Sequence, residues 1–300
     1  MGTPEFAVAS LDELIASGCE IVGVVTAPDK PAGRGQKVTE SAVKQYASTH
    51  GLKVLQPEKL KNEQFLEELK SLQADLQVVV AFRMLPEVVW NMPPLGTVNL
   101  HASLLPQYRG AAPINWVLIN GEKESGVTTF FLKHDIDTGD ILFTEKVTLT
   151  GKETAGELHD RLMYKGAGLL VKTVKGIESG RYTELPQAHL AEGVELKHAP
   201  KIFKEDCNIN WNQPAQKVYN LIRGLSPYPT AYTMLQDKLL KVFGAEYELA
   251  ETGEAPGEFF SDNKTFLKVS ATDGFVSLTD VQLEGKKRMG IEEFLRGVRL

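Results

Sequence analysis

The sequence predicts an α/β protein: an open, mostly parallel, Rossmann-like sheet followed by a small C-terminal OB-like β-barrel. Three observations predict it. Helix and strand patterns alternate from the start to about residue 130. The strand segments there include continuous apolar runs such as Val78-Val-Val-Ala81. After residue 206 the pattern changes to short strands separated by turn signals. Continuous apolar strands alternating with helices are the mark of parallel sheets covered on both faces. A run of about five short strands fits a small closed sheet.

Taken in order, Phe6 to Ala16 has helical apolar spacing and stops at Gly18, and Glu20 to Thr26 reads as a buried strand. Glu40 to His50 predicts a helix ended by Gly51, and Val54-Leu55 a short strand. Phe65, Leu66, Leu69 and Leu72 fall on one face of a helix over Glu63 to Leu72. Strands follow at Asp75 to Phe82 and, after the Pro93-Pro94 break, at Thr97 to His101. Val127 to Leu149 predicts two strands joined by a turn at Asp135–Gly139, and a helix from about Glu153 to Gly176 closes the domain. Residues 183–205, irregular and rich in Pro, Glu and Lys, are expected to be a linker between a catalytic domain (1–182) and a C-terminal domain (206–300). In the latter, a helix over Ala215 to Arg223 precedes strands at Ala231–Leu235, Lys238–Ala245, Gly257–Ser261, Leu267–Ala271 and Gly274–Val281. Gly2-Thr3-Pro4 looks like the turn after a strand, so a first strand of about eight residues is expected upstream of it.

Composition narrows the function. No apolar run approaches the roughly 18–20 residues that span a bilayer, so no membrane association is expected. The opening residues lack a basic and apolar leader, and Cys19 and Cys207 fit neither a disulfide framework nor a zinc signature, so a cytoplasmic protein is expected. A monomer is expected as well. The net charge of −6 restricts nucleic-acid contact to local basic patches.

Chemistry concentrates in Gly96-Thr-Val-Asn-Leu-His-Ala-Ser-Leu-Leu-Pro-Gln-Tyr-Arg-Gly-Ala-Ala-Pro113. Asn99 and His101, two apart near a strand end, leave the same face of the sheet, and ligands bind beyond the carboxyl ends of such strands. An amide beside an imidazole suits acyl transfer, one stabilising an oxyanion and the other handling a proton. A lone His is more often a packing residue; the adjoining loop argues for the functional reading. His134-Asp-Ile-Asp-Thr-Gly-Asp140 holds a tight turn that can aim the Asp137 carboxylate at His101. Its acids do not make a calcium loop, because the twelfth position from Asp135 is Lys146. A Ser103–His101–Asp137 hydrolase triad is conceivable, but Ser103 is not in a G-x-S-x-G elbow. No G-x-G-x-x-G supports a dinucleotide site. Lys30, Arg34 and Lys37, interleaved with Pro31, Gly33 and Gly35, form a cationic finger able to follow a phosphate backbone. Lys286-Lys287-Arg288 is a second basic patch.

The N-x-H with S-L-L-P and Y-R-G-A-A-P, then the I-D-T-G turn, resembles the formyltransferases that use 10-formyltetrahydrofolate. The resemblance runs over essentially the whole chain and includes G-T-P-E-F-A at the start, Pro28-Asp-Lys-Pro-Ala-Gly-Arg-Gly35 and Leu225-Ser-Pro-Tyr-Pro229. The Pro28–Gly35 loop and the C-terminal β domain point to the members that formylate the α-amine of methionyl initiator tRNA for translation initiation. The resemblance implies Asn99, His101 and Asp137 as the catalytic trio and Ser103, Leu104, Leu105 and Pro106 as the tetrahydrofolate-binding segment. It implies that Phe82, Met84 and Leu85 line the pterin pocket with backbone groups, where Ala81-Phe-Arg-Met-Leu-Pro86 departs from the family's usual Gly-containing wall. It places Arg34 in a tRNA-inserting loop and implies 10-formyltetrahydrofolate as donor and charged initiator tRNA as partner. No metal is expected, since the formyl group is already activated and the nucleophile is an amine. Rival readings are a formyltransferase for a small amine, a hydrolase releasing formate from the same cofactor, and a catalytically silent tRNA-binding module. The small-amine enzyme needs no basic loop or tRNA-docking domain, and the silent module does not need Asn99, His101 and Asp137 together.

Overall fold

The computed structural model describes residues 1–32, 37–251 and 253–298, with the side chains of residues 31, 32, 37 and 38 outside the description. Contacts divide the chain into two units. Met1–Arg109, Gly126–Val147 and Asp160–Lys197 form the first, and Gly110–Ser125, Thr148–His159 and His198–Leu300 the second.

The first unit begins with α1 (Glu5–Ala16), whose Phe6, Ala7, Ser10 and Leu14 are buried. The buried strand expected at Glu20–Thr26 is only β1 (Val24–Val25). A hairpin of β2 (Lys30–Ala32) and β3 (Lys37–Thr39) pairs Lys30 with Thr39. α2 (Ala42–Thr49) starts where the Ser41 hydroxyl accepts from Lys44 N–H at 3.1 Å. β4 (Val54–Leu55) pairs in parallel with β1. α3 (Glu63–Ser71) is capped by Asn62, whose Oδ1 accepts from Phe65 N–H at 3.1 Å. β5 (Gln77–Val80), α4 (Glu87–Trp90), β6 (Thr97–His101) and β7 (Arg109–Gly110) follow.

The expected mostly parallel sheet is mixed. Beyond α5 (Pro113–Ile119), β8 (Glu124–Phe131) and β9 (Ile141–Thr148) join β5 and β6 in the order β5-β6-β8-β9. β5 and β6 are parallel, whereas β6 and β8 are antiparallel. The β1–β4 pair is a separate sheet. Gly2 lies between the two: its N–H donates to Val25 O at 3.0 Å, and it bridges Val80 in parallel. Met1 and Gly2 also line a cavity of about 140 Å³ together with Leu14, Val24, Val25 and Val78. Val25, Leu55, Phe65, Leu69, Val79, Leu85 and Val89 form the apolar cluster of this region.

α6 (Ala155–Glu178) starts with a reciprocal cap. Thr154 N–H and hydroxyl donate to Glu157 Oε2 at 2.8 and 2.9 Å, and Glu157 N–H donates back to Thr154 Oγ1 at 3.3 Å. Residues 183–205, expected as a linker, contain α7 (Gln187–Ala191) and β10 (His198–Ala199). Prolines explain the helices that the sequence pattern did not announce. Pro113 occupies the first turn of α5, and Pro86 and Pro186 immediately precede α4 and α7. A proline that looks like a breaker is well suited to starting a helix, where its missing N–H costs nothing.

In the second unit, the turn Glu205–Cys207 leads to α8 (Ala215–Leu225). β11 (Ala231–Leu235), β12 (Lys238–Leu249), β13 (Phe259–Ser261), β14 (Leu267–Ser270) and β15 (Gly274–Leu283) form an antiparallel sheet in the order β11-β12-β15-β14-β13. Among the described residues β11 and β13 are its edges, and no pairing closes it into the expected barrel. β16 (Met289–Gly290) adds to β15 and leads into α9 (Ile291–Gly297). Val218, Ile222 and Leu225 of α8 pack with Leu240, Val242, Val269, Val276 and Leu278 of the sheet. Buried Arg223 donates to Asn220 Oδ1 at 2.8 Å, Glu153 O at 3.1 Å and Leu118 O at 3.2 Å, so its charge is held by three oxygens.

Glu153 gives this unit an acid-sensitive point. Burial raises its pKa, but N–H groups led by that of Thr150 outweigh burial and hold it at about 2, against 4.5 when unperturbed. The N–H groups of Thr150 and Gly151 donate to its carboxylate at 2.8 to 3.1 Å. A depressed carboxylate pKa stabilises the fold above the unfolded value, and that stability is lost as pH falls through 4.5 toward 2. Glu153→Gln is therefore expected to cost about 2 kcal/mol at pH 7 and much less near pH 2. Urea melts at both pH values check this; a difference independent of pH would contradict it.

Candidate active site

The site is built on the carboxyl end of β6. Its parallel neighbour places Val79 beside Asn99, and β8 places Phe130 beside Asn99 and Thr128 beside His101. The two-residue spacing sends Asn99 and His101 to one face. Asn99 is half-buried, and its amide makes no hydrogen bond among the described residues. His101 is 7% exposed. Its Nε2 lies 2.9 Å from Tyr108 O and its Nδ1 lies 3.8 Å from Asp137 Oδ2. The Tyr108 carbonyl can only accept, so the Nε2 hydrogen is assigned there. Nδ1 then faces the Asp137 carboxylate.

Both partners of His101 sit in the left-handed backbone region, Tyr108 at φ +60° and Asp137 at φ +54°. Such conformations cost on the order of 1 kcal/mol or more for a residue with a side chain and persist where surrounding contacts hold them. The contacts are visible. Thr138 Oγ1 donates to Asp135 O at 3.0 Å, and Phe131 N–H donates to Asp140 O at 3.2 Å. Tyr108 N–H donates to Lys197 O at 2.6 Å, while Gln107 Nε2 donates to Glu195 O at 3.0 Å.

Ser103, Leu104, Leu105 and Pro106 leave β6 directly. The buried Ser103 hydroxyl donates to Gln107 O at 2.7 Å, Thr128 Oγ1 donates to Ser103 O at 2.7 Å, and Leu105 N–H donates to Thr128 Oγ1 at 3.3 Å. Leu105 packs with Phe130 and Ile141. The hydrolase triad is not assembled: Ser103 directs its proton to Gln107 O, while the His101 ring meets Tyr108 and Asp137. Of the acids in the turn, Asp140 meets Lys133 Nζ at 2.6 Å and Asp137 faces the His101 ring.

Leu85 is buried in the apolar cluster, and the half-buried Phe82 packs against it. Met84 is 75% exposed. Arg83 donates to Glu58 O at 2.8 Å and to Pro57 O, with its guanidinium 5.5 Å over the Phe82 ring. Among the basic residues, Lys30 is exposed on β2, while Arg34 and the Lys37 side chain lie outside the described residues. The hairpin base is fastened by Asp29, which receives Lys44 Nζ and, at 2.7 Å, Gln56 Nε2; these contacts, that of Lys44 first, hold its carboxyl below the usual range. Lys286 and Lys287 are exposed. Arg288 is instead engaged, with Nε and Nη2 at 2.9 and 2.5 Å from Asp280 Oδ2 and the guanidinium 4.2 Å over Phe243.

Sequence reasoning missed Gln187 in the supposed linker. It is 2% exposed. Its Nε2 donates to Asp137 O at 2.9 Å and Gly139 O at 2.8 Å, and its Oε1 accepts from Arg109 Nε and Nη2 at 3.0 and 2.6 Å. No motif or periodicity marks it.

Among the described residues, an amide without a hydrogen bond and an imidazole facing a carboxylate stand together at a strand end beside a well-anchored loop, the parts that acyl transfer uses. The chain belongs to the formyl transferase family. Residues 1–174 match the family described as "Formyl transferase", and residues 201–299 match "Formyl transferase, C-terminal domain". Within that family its similar relatives are named methionyl-tRNA formyltransferase. One from Bacteroides fragilis is 53% identical over 100% of this chain and 94% of its own length. One from Parabacteroides distasonis is 54% identical over 100% and 94%, and one from Flavobacterium johnsoniae 51% over 99% and 95%. Among solved structures, an N-formyltransferase from Helicobacter canadensis with folinic acid and dTDP-3-aminofucose aligns at a TM-score of 0.69 with 20% identity, covering 96% of this chain and 97% of that one. HypX from Aquifex aeolicus with tetrahydrofolic acid aligns at 0.60 with 21% identity, covering 84% and 44%. These two likenesses are of fold.

Proposed function

We propose that this chain transfers the formyl group of 10-formyltetrahydrofolate to the α-amine of methionyl initiator tRNA. The carrying observation for the chemistry is His101, held between Tyr108 O and Asp137 where β6 ends. The acceptor follows from relatives of that name, 51–54% identical along the whole chain. The amine attacks the formyl carbon, forming a C–N bond and pushing the carbonyl electrons onto oxygen. Asn99 and protonated His101 stabilise that oxyanion. Its collapse breaks the bond to the folate N10, which takes up a proton, while Asp137 supports the imidazolium and the amine's proton leaves through water.

In this reading Ser103, Leu104, Leu105 and Pro106 bind the folate, with backbone of Phe82, Met84 and Leu85 along the pterin. Lys30, Arg34, Lys37, Lys286, Lys287 and Arg288 contact tRNA. The chain acts as a cytoplasmic monomer, with residues 1–182 as the catalytic domain, 183–205 as connection and 206–300 as an OB-like tRNA-docking domain. The match of residues 201–299 to the family's C-terminal domain supports a separate C-terminal domain. Transfer of radiolabelled formyl to charged initiator tRNA, run against small amines, tests the reading; labelling of the small amines alone would overturn it.

The finger is tested by Arg34→Ala. KM for tRNA is expected to rise with folate KM unchanged. For each phosphate of a single-stranded end that the variant leaves unneutralised, the slope of log affinity against log salt falls by about 0.7. Arg34→Ala should exceed Lys37→Ala, because a guanidinium can bridge two phosphate oxygens. Unchanged tRNA kinetics would remove the finger from the reading.

A further inference from the structure

We infer that Gln187 is a positioning residue for the formyl transfer proposed above, fixing both partners of His101 through one side chain. Its amide has two hydrogens and one oxygen with two lone pairs. All four valences are used: the hydrogens on Asp137 O and Gly139 O, the lone pairs on Arg109 Nε and Nη2. The donors and acceptors differ on the two sides, so the amide has a single allowed orientation. On one side it takes hold of the residue next to Tyr108, whose carbonyl receives His101 Nε2. On the other it takes hold of Asp137 itself, whose carboxylate faces Nδ1. Tyr108 and Asp137 both have left-handed backbones, at φ +60° and +54°. Two strained loops that meet on one imidazole are thus clamped together by a residue that does not touch it. A clamp at 2% exposure works without competition from water. Residues this far along the chain, within a segment with no catalytic signature, are held there by α7, which starts at Gln187 itself.

The test uses the full chain with Gln187→Leu, which keeps the volume and removes every hydrogen bond, and Gln187→Glu. The carboxylate of the latter keeps Arg109 but opposes oxygen to the carbonyls of Asp137 and Gly139, so the fold survives while the Asp137 side opens. Both variants are expected to lose about 100-fold in kcat, the scale of an ångström-sized misplacement, with KM for folate and tRNA within about threefold. The ¹⁵N resonances of the His101 ring should shift in both, a signature that general loss of packing elsewhere would not give. If kcat stays within about threefold of the unsubstituted protein in folded Gln187→Glu, the inference fails. It fails equally if kcat falls while the His101 ring resonances stay in place. The resonances are read without substrate, so absence of tRNA formylation in the unsubstituted protein would count against the function alone.

Discussion

His101→Ala is expected to reduce kcat by about 10³-fold or more, and Asp137→Asn by about 10²-fold, the range that a positioned proton-handling group supplies. The two substitutions read different things. Removing the buried imidazole leaves the Tyr108 carbonyl without its 2.9 Å partner, a stability loss of about 1–2 kcal/mol that a domain of this size survives. Asp137→Asn leaves the turn intact, because Asn tolerates the left-handed backbone as Asp does. It keeps side-chain shape and removes the charge that faces Nδ1 at 3.8 Å. Asp137→Ala would mix that effect with turn strain and is the poorer experiment. Single-turnover rates at saturating folate and tRNA, with melting temperatures for each variant, separate chemistry from folding. Turnover within tenfold of the unsubstituted protein in either variant would move that residue out of the mechanism.

What could be read beforehand follows from how local each signal is. Period and turn residues located α1, α3, β6, α8 and most of the C-terminal strands, because their apolar faces are written in consecutive residues. Asn99, His101, Ser103–Pro106 and Asp137 stood out because strand end, loop and turn each concentrate polar types within a few positions. Sheet composition was less legible: β8 pairs antiparallel with β6, and β1 and β4 form their own pair, which depends on long-range pairing that no window reports. The short helices α4, α5 and α7 were not read from the sequence; each begins at or just after a proline, a residue that suits a helix start. Gln187 was invisible for a stricter reason. Its partners Arg109, Asp137 and Gly139 are 48 to 78 residues away, and an amide side chain has no sequence signature of its own. Arg288 shows the converse, a basic patch residue whose guanidinium the fold gives to Asp280 and Phe243.

Gly139→Ala is expected to cost about 3 kcal/mol of stability and to lower kcat by about 10²-fold or more, although the added methyl carries no chemistry. A Cβ at Gly139 would stand 1.6 Å from Phe131 O, 2.8 Å from Phe131 C and 3.0 Å from Phe130 Cδ2. The first two are backbone atoms of β8, so no side-chain rotation can make room. Phe131 is itself fastened to the far side of the turn by its N–H on Asp140 O at 3.2 Å, which resists separation of the two strands. The turn must therefore move, and Asp137 lies two residues upstream of the clash. Any displacement is taken from the His101–Asp137 contact that already stands at 3.8 Å and from the Gln187 contacts to Asp137 O and Gly139 O. Gly151→Ala supplies the comparison. Gly151 has φ +85° and nothing within 4 Å of its Cβ position, so its cost is backbone strain alone, about 1–2 kcal/mol, without a clash to relay. Urea melts and kcat for the two variants give a direct contrast. If Gly139→Ala loses stability like Gly151→Ala and keeps its turnover, the turn is not the rigid arm that holds Asp137 against His101.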